Sequence, residues 1–322
     1  MKRLVYIDIA KVIAIMLVIL GHVYSCSSNP NSAVLNVIGS IHNPLFYLSA
    51  GVLLRQNFNS LSYNDKRSFL VLKAKRLLFP FCVWTFIYTL MQMVLFRSNV
   101  KESLFDVVNK LWFLPVLFIA TVFVYIIYNY KLPIQIILVI GSVLLISSCY
   151  ISTMIAKIIT YMMIVYLGFH LKNMKRWIGI VSLILWIGII VIFFCSGKIV
   201  LEDNFEIGTK LLIIMFAAIW GSLGLMHVII VLSYKKVLFR NAWATISGAT
   251  LYFYILHYIV IYYLEYTNLQ IWKFNWLAVI LAVVIPFMLY KIIYGTILDK
   301  LLFRPDLQIK RKIFNLCNKD KQ

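Results

Sequence analysis

The stretch at residues 5–23, VYIDIAKVIAIMLVILGHV, decides the fold. It is mostly apolar and about 20 residues long, the length that crosses the hydrocarbon core of a bilayer as a helix. Yet it carries Asp8, Lys11 and, at its far end, His22. Ionisable groups at membrane depth cost several kcal/mol unless they are paired or line a polar cavity. Asp8 and Lys11 stand three apart, so a helix presents them on one face, where they can pair. Lys11 and His22 are eleven apart. At about 100° per residue they point within about 20° of each other, separated by about 16 Å of rise. One helix face therefore runs from an acid and an amine to an imidazole.

The rest of the chain repeats the apolar pattern. Of 322 residues, 63% are hydrophobic and only 13% charged, with a mean hydropathy of +0.91. A soluble domain carries about 25% charged residues, so an ordinary water-soluble enzyme is excluded. The 22 Phe, 20 Tyr and 8 Trp exclude a disordered basic tail. Ten stretches have the length and hydropathy of spans: 5–24, 38–55, 77–96, 111–128, 132–149, 158–171, 177–195, 208–231, 245–264 and 274–296. The sixth is the weakest, because Lys157 precedes it and His170 closes it. The second is expected to kink or unwind at Pro44 and Gly51. The opening MKRL leads into a stretch holding Asp8 and Lys11 with no small-residue cleavage site, so no signal peptide is expected. The expected fold class is all-α, a polytopic integral membrane protein with about ten transmembrane helices and cytoplasmic N- and C-termini.

Thirty-one basic against eleven acidic residues give a net charge of +20. With the N-terminus inside, 23 of the 31 fall in the inner gaps and the C-terminal end. These include Arg3, Arg55, Lys66, Lys73, Lys75 and Arg76, and in the later gaps Lys175, Arg176, Lys235, Lys236 and Arg240. The outer side receives only Arg97, Lys101, Lys110, Lys157, Lys198, Lys210 and Lys273, with six of the eleven acids. Ten spans with both ends inside satisfy this bias. The charge is thus a topology signal and not a nucleic-acid surface. Residues 1–296 read as one transmembrane domain, and 297–322 as a basic cytoplasmic tail that lies on the inner membrane surface or is loosely ordered.

Two further histidines lie at the depth of His22: His42, opening the second stretch, and His257, toward the end of the ninth. His170 and His227 fall near inner ends and read as interfacial. Histidine is the side chain best poised to take and return a proton near neutral pH. No Gly-x-Ser-x-Gly elbow supplies a serine mechanism. No paired-histidine motif appears, so no metal is expected. The cluster Lys73, Lys75 and Arg76, before the third span, suits an anionic, phosphate-bearing donor arriving from the cytoplasm. No glycine-rich phosphate loop accompanies it, which argues against nucleotide hydrolysis. Five cysteines make no disulfide scaffold; Cys26 and Cys149, at similar depth, are equally readable as paired or free. Intramembrane charges with Pro and Gly inside spans also suit a transporter or flippase for a lipid-linked glycan, although no paired halves with matching interruptions are present.

Six phrases carry a family resemblance: YIDIAKVIAIMLVILGHV at 6–23, IHNPLFYLSAGVLL at 41–54, KAKRLLFPFCVW at 73–84, LWFLPVLF at 111–118, YLGF at 166–169 and SGATLYFYILH at 247–257. In this order and depth the chain resembles the membrane acyltransferase 3 family, the bacterial integral-membrane O-acyltransferases. Within that family it is most similar to the sugar acetylases related to fucose 4-O-acetylase. In the family an arginine precedes the first-span histidine by eleven positions; here Lys11 stands at the arginine position and His22 at the histidine. The second-span phrase usually ends in Ser-Gly; here Gly51 matches, Ala50 holds the serine position and Ser49 comes one earlier. His42, Pro44, Arg76 and Pro80 match. The resemblance implies an O-acetyltransferase of the bacterial cytoplasmic membrane. It would use acetyl-CoA, or a related acyl-CoA, as donor from the cytoplasmic side, and a sugar hydroxyl on a lipid-linked or exported glycan as acceptor at the outer side. It implies His22 as general base, Lys11 and Asp8 orienting the donor, and Lys11, Lys73 and Arg76 on its phosphates. His42, Ser49, Trp112, Tyr254 and His257 would line the site.

Overall fold

The computed structural model describes residues 3–27, 30–59, 63–173, 175–195, 208–233, 239–267 and 276–305. Among these residues every regular element is helical. In chain order they are α1 (Val5–Ser25), α2 (Ser32–Gly39), α3 (His42–Phe58), α4 (Tyr63–Phe96), α5 (Val100–Leu111), α6 (Phe113–Tyr130) and α7 (Ile134–Cys149). There follow α8 (Thr153–His170), α9 (Arg176–Ile189), α10 (Thr209–Ser233), α11 (Arg240–Gly248), α12 (Thr250–Tyr266), α13 (Trp276–Ile293) and α14 (Ile297–Leu302). Eight segments are long and apolar enough to cross a membrane, and a ninth forms if α11 and α12, bent by 65° at their junction, count as one span. The remaining predicted stretch, 132–149, is α7. Its 16 residues reach about 24 Å, short of a hydrocarbon core of about 30 Å. A bilayer-spanning all-α protein is therefore what this sequence builds.

The fold is organised around α1, which packs against α2, α3, α10, α11, α12 and α13. Its small and β-branched residues Ala10, Ala14, Ile15 and Ile19 are fully buried. The tightest pairing beside it joins α3 and α8, and two glycines make it possible. A Cβ at Gly51 would overlap the Val165 carbonyl of α8, and one at Gly168 would overlap the Leu48 carbonyl of α3. Without a bilayer-driven hydrophobic force between helices, such backbone-to-backbone approach is a main source of association. It lays Tyr47 of α3 on Tyr161 of α8, ring centroids 4.2 Å apart. The Tyr47 hydroxyl donates to the Phe113 carbonyl at 3.1 Å.

Several expectations change. The second stretch breaks at Ser40 and Ile41, between α2 and α3, and not at Pro44 or Gly51. Pro44 sits in the first turn of α3, where its missing N–H has no intrahelical partner to lose; Gly51 serves packing. The segments 25–37 and 97–110 contain helices. Asn31 caps α2 through the Ala33 N–H at 2.9 Å, and Asn99 caps α5 through the Glu102 N–H at 2.9 Å. In α5 the residues Ser103, Val107 and Leu111 are buried on one face while Lys101, Glu102, Leu104 and Phe105 are exposed. The inner loop is shortened because α4 begins at Tyr63. The sixth stretch, far from weak, is a core helix that buries Thr160, Tyr161, Ile164 and Val165. Cys26 and Cys149 are not joined to each other. The segment 196–207, Lys2, Lys198, Lys235, Lys236 and Lys273, and the tail from 306 onward lie outside the described residues.

The start of the presumed tail, 297–305, is docked and not merely laid on a surface. Asp299 is fully buried. Both of its oxygens take the Arg304 guanidinium, and it accepts from the Gly295 N–H at 2.9 Å and from the Tyr252 hydroxyl. Trp84 of α4 donates its indole N–H to the Leu302 carbonyl at 3.1 Å, and Phe303 stacks on Tyr252, centroids 4.3 Å apart. Burial alone would push the Asp299 carboxyl up, but the Arg304, Gly295 and Tyr252 bonds outweigh it and hold the group below its ordinary value of 3.8. A depressed carboxyl stabilises the fold above its unfolded pKa and loses that contribution as pH falls through the folded one. Asp299→Ala is accordingly expected to destabilise the detergent-solubilised protein by about 3–5 kcal/mol near neutral pH, the cost of orphaning one partner of a buried pair. Thermal melts should show the gap between wild type and variant closing below about pH 4. A gap that is constant with pH would remove the carboxylate from the stability of this docking.

Candidate active site

The C-terminal end of α1 carries His22, and α12 meets it there. His22 meets Tyr258 of α12, its Nε2 3.2 Å from the tyrosine oxygen. That hydroxyl is also 3.1 Å from the Lys110 carbonyl at the end of α5, to which it donates. Tyr254, one turn earlier on α12, donates to the same carbonyl at 3.1 Å. A carbonyl has two lone pairs, so one oxygen of α5 ties down two tyrosines of α12. The His257 ring lies 5.4 Å from that of His22, centroid to centroid. It is fully buried, and its Nδ1 donates to the Phe253 carbonyl at 2.8 Å. His42 at the start of α3 does likewise to Ile38, at 2.7 Å.

Beside His22 opens a cavity of about 350 Å³. His42, Asn43 and Gly39 contribute one wall, Trp112, Phe113 and Tyr254 another, and Tyr161 and Lys157 of α8 a third. Lys110 lines it too. Its ammonium pairs with Asp106 at 3.0 Å and lies 4.4 Å from the centre of the Tyr262 ring. Asp106 in turn accepts from Gln92 of α4, whose amide also reaches the Tyr262 hydroxyl at 3.2 Å. The Lys157 ammonium stands 5.8 Å from the centre of Trp112. Apolar and aromatic walls with a few convergent donors and acceptors are the usual make-up of a small-molecule site, and Trp112, Tyr161 and Tyr254 give this one three aromatic lining residues.

The opposite end of the α1 face carries cations. Lys11 of α1 and Arg76 of α4 both lie within electrostatic reach of Lys73, so three positive charges converge there. Asp8 does not pair with Lys11 as expected. Its two oxygens take Arg3, at 2.6 and 3.1 Å, and Arg3 also donates to the Ala244 carbonyl of α11 at 2.7 Å. The guanidinium fork matches a carboxylate and a carbonyl together, which a point ammonium does not. Lys11 stays within electrostatic reach of Asp8 without taking its oxygens, and Asp8 ties Arg3 to the start of α1.

Of the residues expected to line the site, His22, His42, Trp112 and Tyr254 border the cavity, while Ser49 and His257 do not. Ser49 is fully buried with no hydrogen-bond partner for its hydroxyl among the described residues, about 10 Å along α3 from His42. Lys11, Lys73 and Arg76 do not border this cavity either. Sequence reading missed Tyr258, Tyr161, Lys110, Lys157, Asn43 and Asn109. One signal was available: Tyr254, Tyr258 and Tyr262 recur every four residues, and a helix places such residues on one face. Among the described residues no group of three or more His, Cys, Asp or Glu is arranged to hold a metal ion.

Compared with known proteins, residues 4–292 match the family model described as an acyltransferase domain. No curated protein and no solved structure matches the chain.

Proposed function

The chain belongs to the acyltransferase 3 family and is a membrane acyltransferase, and from that premise we propose that it moves an acetyl or similar acyl group from acyl-CoA to a sugar hydroxyl of a lipid-linked or exported glycan. The observation that carries this reading is the division of labour along α1. A histidine in a cavity of aromatic and amide character stands at one end, and a convergence of Lys11, Lys73 and Arg76 stands about 16 Å away at the other. The cations suit the phosphates of coenzyme A, which stay in the cytoplasm. The cavity suits a sugar presented from the outer side of a bacterial cytoplasmic membrane.

In this reading His22 removes the proton of the acceptor hydroxyl as its oxygen bonds to the thioester carbonyl carbon. The carbon–sulfur bond then breaks, and the imidazolium returns the proton to the departing thiolate. The products are an ester and a free thiol, so protons and electrons balance. Trp112 and Tyr254 hold the sugar, while Lys11, Lys73 and Arg76 hold the donor.

Protein in vesicles, given isotopically labelled acetyl-CoA on the Lys11 side and lipid-linked glycan on the His22 side, should label the glycan. Label that stays in acetyl-CoA and acetate alone would overturn the proposal. Lys11→Arg is expected to keep activity within about threefold, because charge is retained at a site read chiefly by Coulomb attraction. An inactive variant would show that the compact ammonium itself is required.

A further inference from the structure

Three histidines cluster at one end of the bundle, and their hydrogen bonds sort them into two kinds. In His42 and His257 the Nδ1 faces a carbonyl oxygen one turn back, at 2.7 and 2.8 Å. A carbonyl only accepts, so in both neutral rings Nδ1 carries the hydrogen and Nε2 the lone pair. His22 makes no such bond to the carbonyl one turn back among the described residues. Its contact runs through Nε2, to the Tyr258 oxygen at 3.2 Å.

That oxygen has a single proton, and two of its described contacts compete for it. The Lys110 carbonyl is 3.1 Å away. If the proton pointed to His22, the tyrosine and carbonyl oxygens would face each other at 3.1 Å with nothing between them. With the proton on the Lys110 carbonyl, the tyrosine lone pair is open and His22 fills it with an Nε2–H. Only this arrangement makes both contacts attractive. The carbonyl itself is held by the Tyr254 hydroxyl as well, and α5 is tied to α4 by the bond from Gln92 to Asp106.

We propose that Tyr258, seated on the Lys110 carbonyl, is a positioning residue that holds His22 in the Nε2–H tautomer, opposite to His42 and His257, so that Nδ1 of His22 is the nitrogen that takes the acceptor proton. This rests on the reading of His22 as general base and names the atom that does it. When Nδ1 is protonated, the Nε2–H bond to Tyr258 keeps the ring from turning, so the same nitrogen can return the proton to the leaving thiolate. Orientation of a catalytic imidazole through its distal nitrogen is a recurring requirement of such bases. Here the orienting group is a neutral hydroxyl anchored to backbone, so it sets geometry without adding charge.

The test is nitrogen-15 NMR of histidine-labelled, full-length protein in lipid nanodiscs, with the His22 signal identified by its loss in His22→Gln. The expected result is an Nε2–H signature for His22, in contrast to Nδ1–H signatures for His42 and His257. An Nδ1–H signature for His22 would overturn the assignment while leaving acyl transfer intact. Tyr258→Phe keeps the ring and removes the oxygen. It should lower kcat about tenfold, the worth of one neutral hydrogen bond, leave KM for acyl-CoA unchanged, and let His22 populate both tautomers. Unchanged kcat with an unchanged tautomer would also overturn the assignment. Full activity in His22→Gln would instead remove the general-base reading on which it rests.

Discussion

Replacing His22 by alanine should reduce acyl transfer by about 10²- to 10⁴-fold, the usual worth of a positioned general base, with the amount of protein in the membrane unchanged. The two effects separate because His22 contributes little to folding. The one described hydrogen bond of its side chain, to Tyr258, is a neutral pair worth about 1 kcal/mol, and the ring borders a cavity instead of filling the core. Initial rates with labelled acetyl-CoA and quantitation of the membrane fraction measure both at once. Retained turnover in a well-expressed His22→Ala protein would leave the cavity without its base. Loss of rate together with loss of protein would mean that His22 is structural.

The second large effect falls on the α3–α8 seam, remote from the chemistry. Gly51→Leu should abolish the folded, monodisperse protein in mild detergent. Even a Cβ at Gly51 would overlap the Val165 carbonyl, and both partners are backbone, so nothing can rotate aside. Overpacking of this kind costs about 1–3 kcal/mol where side chains can yield, and here the helices themselves must part. Gly168→Leu should behave alike, because the overlap with Leu48 is reciprocal. Since Tyr47, Tyr161 and Phe113 are assembled across this seam, the milder Gly51→Ala should raise KM for the acceptor before it lowers yield. Size-exclusion profiles and thermal melts report the outcome. A Gly51→Leu protein melting at the wild-type temperature would mean that α3 and α8 are not in backbone contact.

What the sequence disclosed follows from what local spacing encodes. The α1 face from Lys11 to His22 was legible because helical periodicity alone fixes it. Most spans were legible from hydropathy, and Trp112 and Tyr254 from the phrases that hold them. The Asp8 partner was misread because spacing along a helix considers only residues within it. Arg3 lies just ahead of α1 and folds back to offer a planar fork that Lys11 lacks. The helices α2 and α5 fell largely between the predicted spans, because hydropathy passes over short amphipathic helices whose caps, Asn31 and Asn99, are their clearest mark. Lys110 was counted only as an outer charge. Its importance lies in a backbone carbonyl that meets residues 144 and 148 positions away, which no local pattern encodes. Asp299 fell within the stretch read as a basic tail, because one of its partners, Gly295, supplies a backbone N–H that a reading by side chains does not register.

The central claim is that this membrane acyltransferase works on a glycan, and that His22 is its base. The most direct measurement is the mass of the surface and lipid-linked glycan from cells with the gene, without it, and with His22→Ala in its place. A glycan of full length lacking one acyl group per acylated unit is expected in both mutant strains, restored by the wild-type gene. Identical acyl content in all three strains, or disappearance of the glycan from the surface without loss of its acyl groups, would contradict it.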